Sequence, residues 1–459
     1  MVGLGRRFFV ALIAAAVAVC AIPITAAAST TTYTGTFADG AKYIIELPGN
    51  WNGTLLLYSH GYASPFAPLE AAPVGDATTG AFLLARGYAL AGSSYATNGW
   101  ALEQAFPDQI ATLDVFDTLV GRHPSRTIAW GHSLGGIITA GLLQLYPQRF
   151  DAALPMCGVL SGGIGAWNQG LDAEFVIQQL LGAGTGLQLV RLGFPNFANL
   201  NLAGSIVAGA QGTAQGRARL ALAAAVSDAP GWFDPSSPEP GATDYVAQQR
   251  NQYLWLSQVD ATFLFFLRGE LEARAGGNPS WNTGVNYAKQ LERSIDHAEV
   301  VALYAQAGLS LDADLARLAA APRISADPGA VDYLNHYISF NGDLGGKPVL
   351  TIHTTGDGLV LPEEEQAYRS VVLDAKDGQL LREAFVHRAG HCTFTPAETI
   401  AALQALETRL DTGKWTDVTD PGALNSAATA LGPALNVAPP SYLAFEPAPF
   451  LRPYDLAEH

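Results

Sequence analysis

The chain has 459 residues, of which 49% are apolar and only 14% charged, a balance that excludes a largely disordered protein. That length suits a large core carrying an insertion, or two domains. The formal net charge of −16 disfavours partners that present a phosphate backbone, so nucleic-acid binding is not expected.

Arg6 and Arg7 precede an almost unbroken apolar run from Phe8 to Ile22, and Ala26-Ala27-Ala28 supplies small residues for cleavage. Residues 1–28 therefore read as a secretory signal peptide, which places the mature protein outside the cell. The run is short for a span of about 20 residues, so no stable membrane insertion is expected after cleavage. Arg6-Arg7-Phe8-Phe9 weakly resembles a twin-arginine signal, and the general secretory route fits as well. Cleavage removes Cys20 and leaves Cys157 and Cys392, which can pair in an oxidising compartment.

Beyond the signal, Tyr33 to Phe37 and Lys42 to Glu46 read as two short strands around the turn Asp39-Gly40. Leu55 to Ser59, Tyr88 to Ala91, Thr127 to Trp130 and Ala153 to Val159 are short, apolar and non-alternating, as strands buried on both faces are. Helical patterns lie between them, over Phe82 to Arg86, Pro107 to Val120 and Ile137 to Leu145. The alternation halts near Ser161-Gly162-Gly163. It resumes with a strand at Pro348 to Ile352, a helix at Glu363 to Val371, a strand at Ala384 to His387 and a helix at Pro396 to Leu410. Such alternation predicts an α/β fold, a mainly parallel sheet with helices on both faces.

The intervening residues 163–343 read as a largely helical insertion. One long helical stretch is expected from Asp244 to Arg274, with Trp255, Phe263, Phe265 and Phe266 packing inward or lining a pocket, and with Asp260, Glu270 and Glu272 on a solvated face. Residues 29–162 and 344–414 then form the two parts of one core. Residues 415–459, rich in proline and without a clear period, are expected to wrap it as irregular structure.

Gly131-His132-Ser133-Leu134-Gly135 fits the pattern G-x-S-x-G. The bare pattern is weak, but here a strand precedes it and an amphipathic helix follows, as a nucleophile elbow requires. A serine hydroxyl needs a base oriented by a carboxylate. His391 lies on a loop just after a late strand, and Asp357 follows the strand Pro348 to Ile352 directly, at the carboxyl edge where catalytic groups gather. The backbone N–H groups of Leu134 and of Tyr62, in the loop His60-Gly61-Tyr62-Ala63, are the candidate oxyanion donors. No HExxH, zinc-spaced cysteine cluster or P-loop occurs, so neither metal nor cofactor is expected.

The ordered set His60-Gly61, GHSLG at 131–135, Asp357 and His391 resembles the α/β-hydrolase superfamily over roughly residues 40–162 and 344–412. The resemblance implies a serine, histidine and aspartate triad and a cap inserted after the sixth strand. Cys392 beside His391 is further similar to secreted feruloyl esterases and tannases, where a cysteine beside the serine pairs with one beside the histidine. Here His132 occupies the first of those positions, so Cys157 is the expected partner of Cys392, and two separate buried thiols are the alternative. The expected activity is hydrolysis of a hydrophobic or aromatic carboxylic ester, small or at a polymer end. A serine exopeptidase of the same fold is the runner-up, and a non-catalytic binding module the third reading. Substrate identity and oligomeric state carry no sequence signal.

Overall fold

The computed structural model describes residues 29–454, and the expected signal peptide lies outside the described residues. Among the described residues nine strands form one sheet: β1 (Thr30–Thr36), β2 (Lys42–Pro48), β3 (Thr54–Ser59), β4 (Ala89–Ser93), β5 (Arg126–His132), β6 (Ala152–Met156), β7 (Val349–Gly356), β8 (Leu381–Ala389) and β9 (Tyr442–Leu443). Their order is β1-β2-β4-β3-β5-β6-β7-β8-β9. From β4 across to β8 every pairing is parallel, while β1, β2 and β9 run antiparallel at the two edges.

The sheet is buried on both faces, which is why its central strands are apolar at successive positions. Leu55, Leu57 and Ala129 face a core shared with helices Leu102–Val120 and Leu134–Leu145. Their neighbours Leu56, Tyr58, Ile128 and Trp130 face the opposite core, shared with helices Ala77–Ala85 and Pro396–Thr412. Between β6 and β7 the chain forms a series of helices from Gly162–Leu180 to Pro328–His336. These have a core of their own around Phe175, Leu222, Phe265 and Tyr304. No helix among the described residues is long and apolar enough to cross a membrane.

Three expectations need correction. Pro107 lies inside helix Leu102–Val120 instead of opening it. The extra turn buries Leu102, Ala105 and Phe106, and that packing outweighs the hydrogen bond the proline cannot make. The stretch from Asp244 to Arg274 is one helical run, but it passes through two π-helical segments, Leu256–Asp260 and Phe263–Leu267. The tail is not irregular throughout. Helix Pro421–Ala430 buries only Leu424 and Ala428, too few apolar contacts to print a period, and β9 pairs with the edge of β8. Asn425 fastens β9 through Tyr442, whose hydroxyl donates to the Glu398 carbonyl at 2.8 Å.

Candidate active site

Parallel strands deliver their carboxyl ends to one edge of the sheet, and Ser133, Asp357 and His391 follow the ends of β5, β7 and β8 there. At the end of β5, Ser133 turns sharply into helix Leu134–Leu145 with φ 58° and ψ −124°, a conformation that non-glycine residues rarely hold. The Ser133 N–H donates to the Met156 carbonyl at 3.0 Å, which pins the turn to β6. A Cβ at position 135 would collide with the Ser59 carbonyl oxygen, and one at position 61 would lie 3.3 Å from the Ser133 Cβ. Glycine at both places lets the β3 loop close against the serine.

Asp357, at the end of β7, is fully buried. One carboxylate oxygen lies 2.7 Å from His391 Nδ1, and the other accepts the Leu359 and Val360 N–H groups at 3.0 and 3.1 Å. Burial by itself would raise this carboxyl, but the imidazoles of His391 and His353 outweigh it and hold the group below its ordinary value. Ser133, Leu134 and Tyr62 line one cavity. No hydrogen bond joins Ser133 to His391, and none is made by the Leu134 and Tyr62 N–H groups, among the described residues. Ser133, Asp357 and His391 thus follow strands that end at one sheet edge, with the serine on the cavity wall and the histidine bonded to the aspartate.

Cys157 and Cys392 form a disulfide, with Cα atoms 5.5 Å apart. It ties the loop after β8, which carries His391, to the end of β6. Cys392 Sγ sits 3.3 Å from His391 Nε2. Among the described residues the one cluster spaced for a metal is Cys157, His391 and Cys392, and its sulfurs are committed to that bond.

His353 escaped sequence reasoning. It lies on β7 four residues before Asp357 and is fully buried. Its Nε2 is 2.9 Å from the Val360 carbonyl oxygen and 3.7 Å from Asp357, and its Nδ1 is 2.8 Å from Glu365. A carbonyl only accepts, so Nε2 carries a hydrogen. Burial opposes a charged imidazole, yet the bonds toward Asp357 and Glu365 push it up to about 10, so His353 is a buried cation between two carboxylates. The available signal was a lone histidine in an apolar strand followed by three glutamates at 363–365. His132 is the opposite case: burial lowers it to about 4, and its Nδ1 lies 3.2 Å from the Tyr58 hydroxyl.

The acids expected on a solvated face are buried instead. Glu270 pairs with Arg274 and accepts the Trp100 N–H, and Glu272 accepts the Arg191 and Leu192 N–H groups, so both fasten the insertion. Asp260 lines the cavity, as do Phe263, Leu264 and Trp167. Trp255 and Phe265 pack inward, and Phe266 stands in a cluster with Phe194 and Phe197.

No protein-family model matches the sequence. The chain is 31% identical over 431 residues to an o-phthalyl amidase of Xanthobacter agilis, covering 86% of this chain and 90% of that protein. Among solved structures it is similar to an esterase from Aspergillus oryzae, at 17% identity and a TM-score of 0.42, covering 84% of this chain and 79% of that one. Feruloyl esterase B from the same fungus is similar at 14% identity and a TM-score of 0.41, covering 88% of this chain and 86% of that one.

Proposed function

The chain belongs to the α/β-hydrolase superfamily and to the family of that amidase, and from this premise we propose that it is a serine hydrolase cleaving an ester or amide of an aromatic carboxylic acid. The observation that carries the reading is the 2.7 Å contact between His391 Nδ1 and Asp357, made at the same sheet edge as the strained Ser133. With Nδ1 facing the carboxylate, Nε2 is left to accept the Ser133 proton. Ser133 Oγ then attacks the carbonyl carbon, and the oxygen that gains charge is received by the Leu134 and Tyr62 N–H groups. His391 returns its proton to the leaving alcohol or amine as that bond breaks. Water, deprotonated by His391, then releases the acid from the acyl-enzyme.

The cavity wall supports an aromatic acyl group, because Trp167, Phe263, Leu264 and Leu361 offer apolar surface around Ser133. Within the expected ester class, the amidase relative extends the reading to amides and names an o-phthalyl acyl group as the first to try. An exopeptidase would need a free acid to hold the substrate's amino terminus, and of Asp260, Glu270 and Glu272 the last two are already bonded. Export through residues 1–28 remains part of the proposal, supported by a disulfide of the kind oxidising compartments allow.

The test is a panel of p-nitrophenyl benzoate, its 2-carboxy analogue, the matching anilides and aminoacyl anilides. Wild type is expected to turn over the aromatic acyl substrates, and Ser133→Ala to lose at least about 10³-fold in kcat. Activity confined to aminoacyl anilides would replace the reading with a peptidase, and unchanged activity in Ser133→Ala would remove the mechanism.

A further inference from the structure

Asp260 is a carboxyl group on the cavity wall with nothing to bond. Its residue is only 9% exposed. It has no hydrogen-bond or ion-pair partner among the described residues, and no lysine, arginine or histidine lines the cavity. The wall's other carboxyl, Glu364, accepts both the N–H and the hydroxyl of Ser161. The charge that acts on Asp260 is the carboxylate of Asp357, which repels a second anion. Burial, first, and that repulsion hold its proton on well above the usual carboxylate range. Asp260 also ends the π-helical segment Leu256–Asp260, a rare distortion that is frequent at functional sites.

A buried carboxyl without a counter-charge stays protonated, and a protonated carboxyl is a hydrogen-bond donor. We propose that Asp260 is the specificity-determining residue of this cavity, donating its proton's hydrogen bond to a second oxygen acceptor carried by the acyl part of the substrate. The substrate class is then an aromatic acid derivative whose acyl part carries a second, uncharged carbonyl group, because the wall and Asp357 disfavour an anion there; the o-phthalyl group named for the amidase relative points to the ortho position. This rests on the reading of Ser133 as the residue that takes the acyl group. An amine would ask for the ionised form of Asp260, which neither the apolar wall nor Asp357 favours. A site built to bond an acceptor discriminates strongly against analogues that lack it.

Calorimetry on the Ser133→Ala protein tests the inference without turnover. Benzamide and phthalamide, which adds an uncharged ortho carbonyl, are titrated into Ser133→Ala and into the same protein with Asp260→Asn, Asp260→Leu or Asp260→Ala. We expect phthalamide to bind at least about tenfold more tightly than benzamide, Asp260→Asn to keep most of that ratio, and Asp260→Leu and Asp260→Ala to reduce it below about threefold with benzamide unchanged. The two donor-removing variants differ in volume, so a misfolded one leaves the other to decide. A ratio that survives both of them, or that is absent beforehand, overturns the proposal. So does an equal loss for both ligands, which is what a purely structural role would give. Tighter binding of phenylalaninamide that depends on Asp260 would assign it to an ammonium instead. Inactivity of the wild type on every ester and anilide would count against Ser133 and leave the binding ratio readable.

Discussion

At the scale of single residues, His353 shows how a buried charge can support a site's carboxylate from behind. Its cation stands 3.7 Å from Asp357 and 2.8 Å from Glu365, with its remaining N–H satisfied by Val360. In the mechanism proposed here it is a positioning residue: it fixes the carboxylate that orients His391 and offsets part of that carboxylate's field. His353→Gln keeps a donor for Val360 and removes the charge. The acid limb of the kcat/KM profile is expected to move to higher pH by about 0.5–1 unit, because the base then sees an uncompensated carboxylate. A purely structural residue would lower stability and leave the profile in place. A profile that superimposes on wild type would therefore end this role for His353.

At the scale of elements, two devices hold the His391 loop. The disulfide joins it to β6 across 235 residues of chain. Helix Pro396–Thr412 opens with a capping box between Thr395 and Glu398, and Glu398 also accepts both Arg388 guanidinium nitrogens at 2.6 and 3.0 Å. Arg388 lies three residues before His391, so the helix start and the loop are one bonded unit. Replacing both cysteines by alanine is expected to cost about 2–4 kcal/mol, roughly 2–5 °C in Tm for a chain of this length. In an assay well below that Tm, kcat should fall at least about tenfold while KM changes little, since it is the base and not the cavity that loosens. An unchanged kcat would show that the arginine and the capping box hold the loop without help.

At the scale of the whole molecule, the insertion meets the sheet domain across buried acids. Asp228, from the insertion, is raised well above the ordinary value by burial and by Glu363 of the core. Burial likewise brings Asp296, Glu363 and Glu364 up to about 7 and Glu299 to about 9. A carboxyl raised on folding contributes stability that is fully present below its unfolded value, near 4, and lost as pH rises through the folded value. His353 has the same sign over a window from 6.5 to about 10. His132 acts oppositely: its contribution is present above 6.5 and lost as pH falls toward 4. The raised acids outnumber His132, so from about pH 5 upward stability should fall as pH rises. Tm at pH 5.5 is expected to exceed that at pH 9 by about 5–10 °C, read by scanning calorimetry. A Tm that rises across that interval would contradict the sign for these acids.

Much of this was legible in local pattern. Continuous apolar runs separated by helical periods determine a parallel sheet buried on both faces, because each strand must find cover on two sides. The turn at GHSLG and the strand ends before Asp357 and His391 place those residues at one edge for the same reason. What local pattern could not determine lies where packing overrules it. Pro107 is carried inside a helix by the burial around it. The tail becomes helix and strand because the edge of β8 is there to receive it. Polar residues such as His353, Asp260, Glu270 and Glu272 read alike in a sequence. Their tertiary neighbours make the first a cation between carboxylates, the second a lone acid in a cavity and the other two fasteners. The cavity itself is made only when an insertion with its own core closes over a serine presented by the sheet. Residues far apart in the chain then share the low-dielectric space in which their charges, and any chemistry, are set.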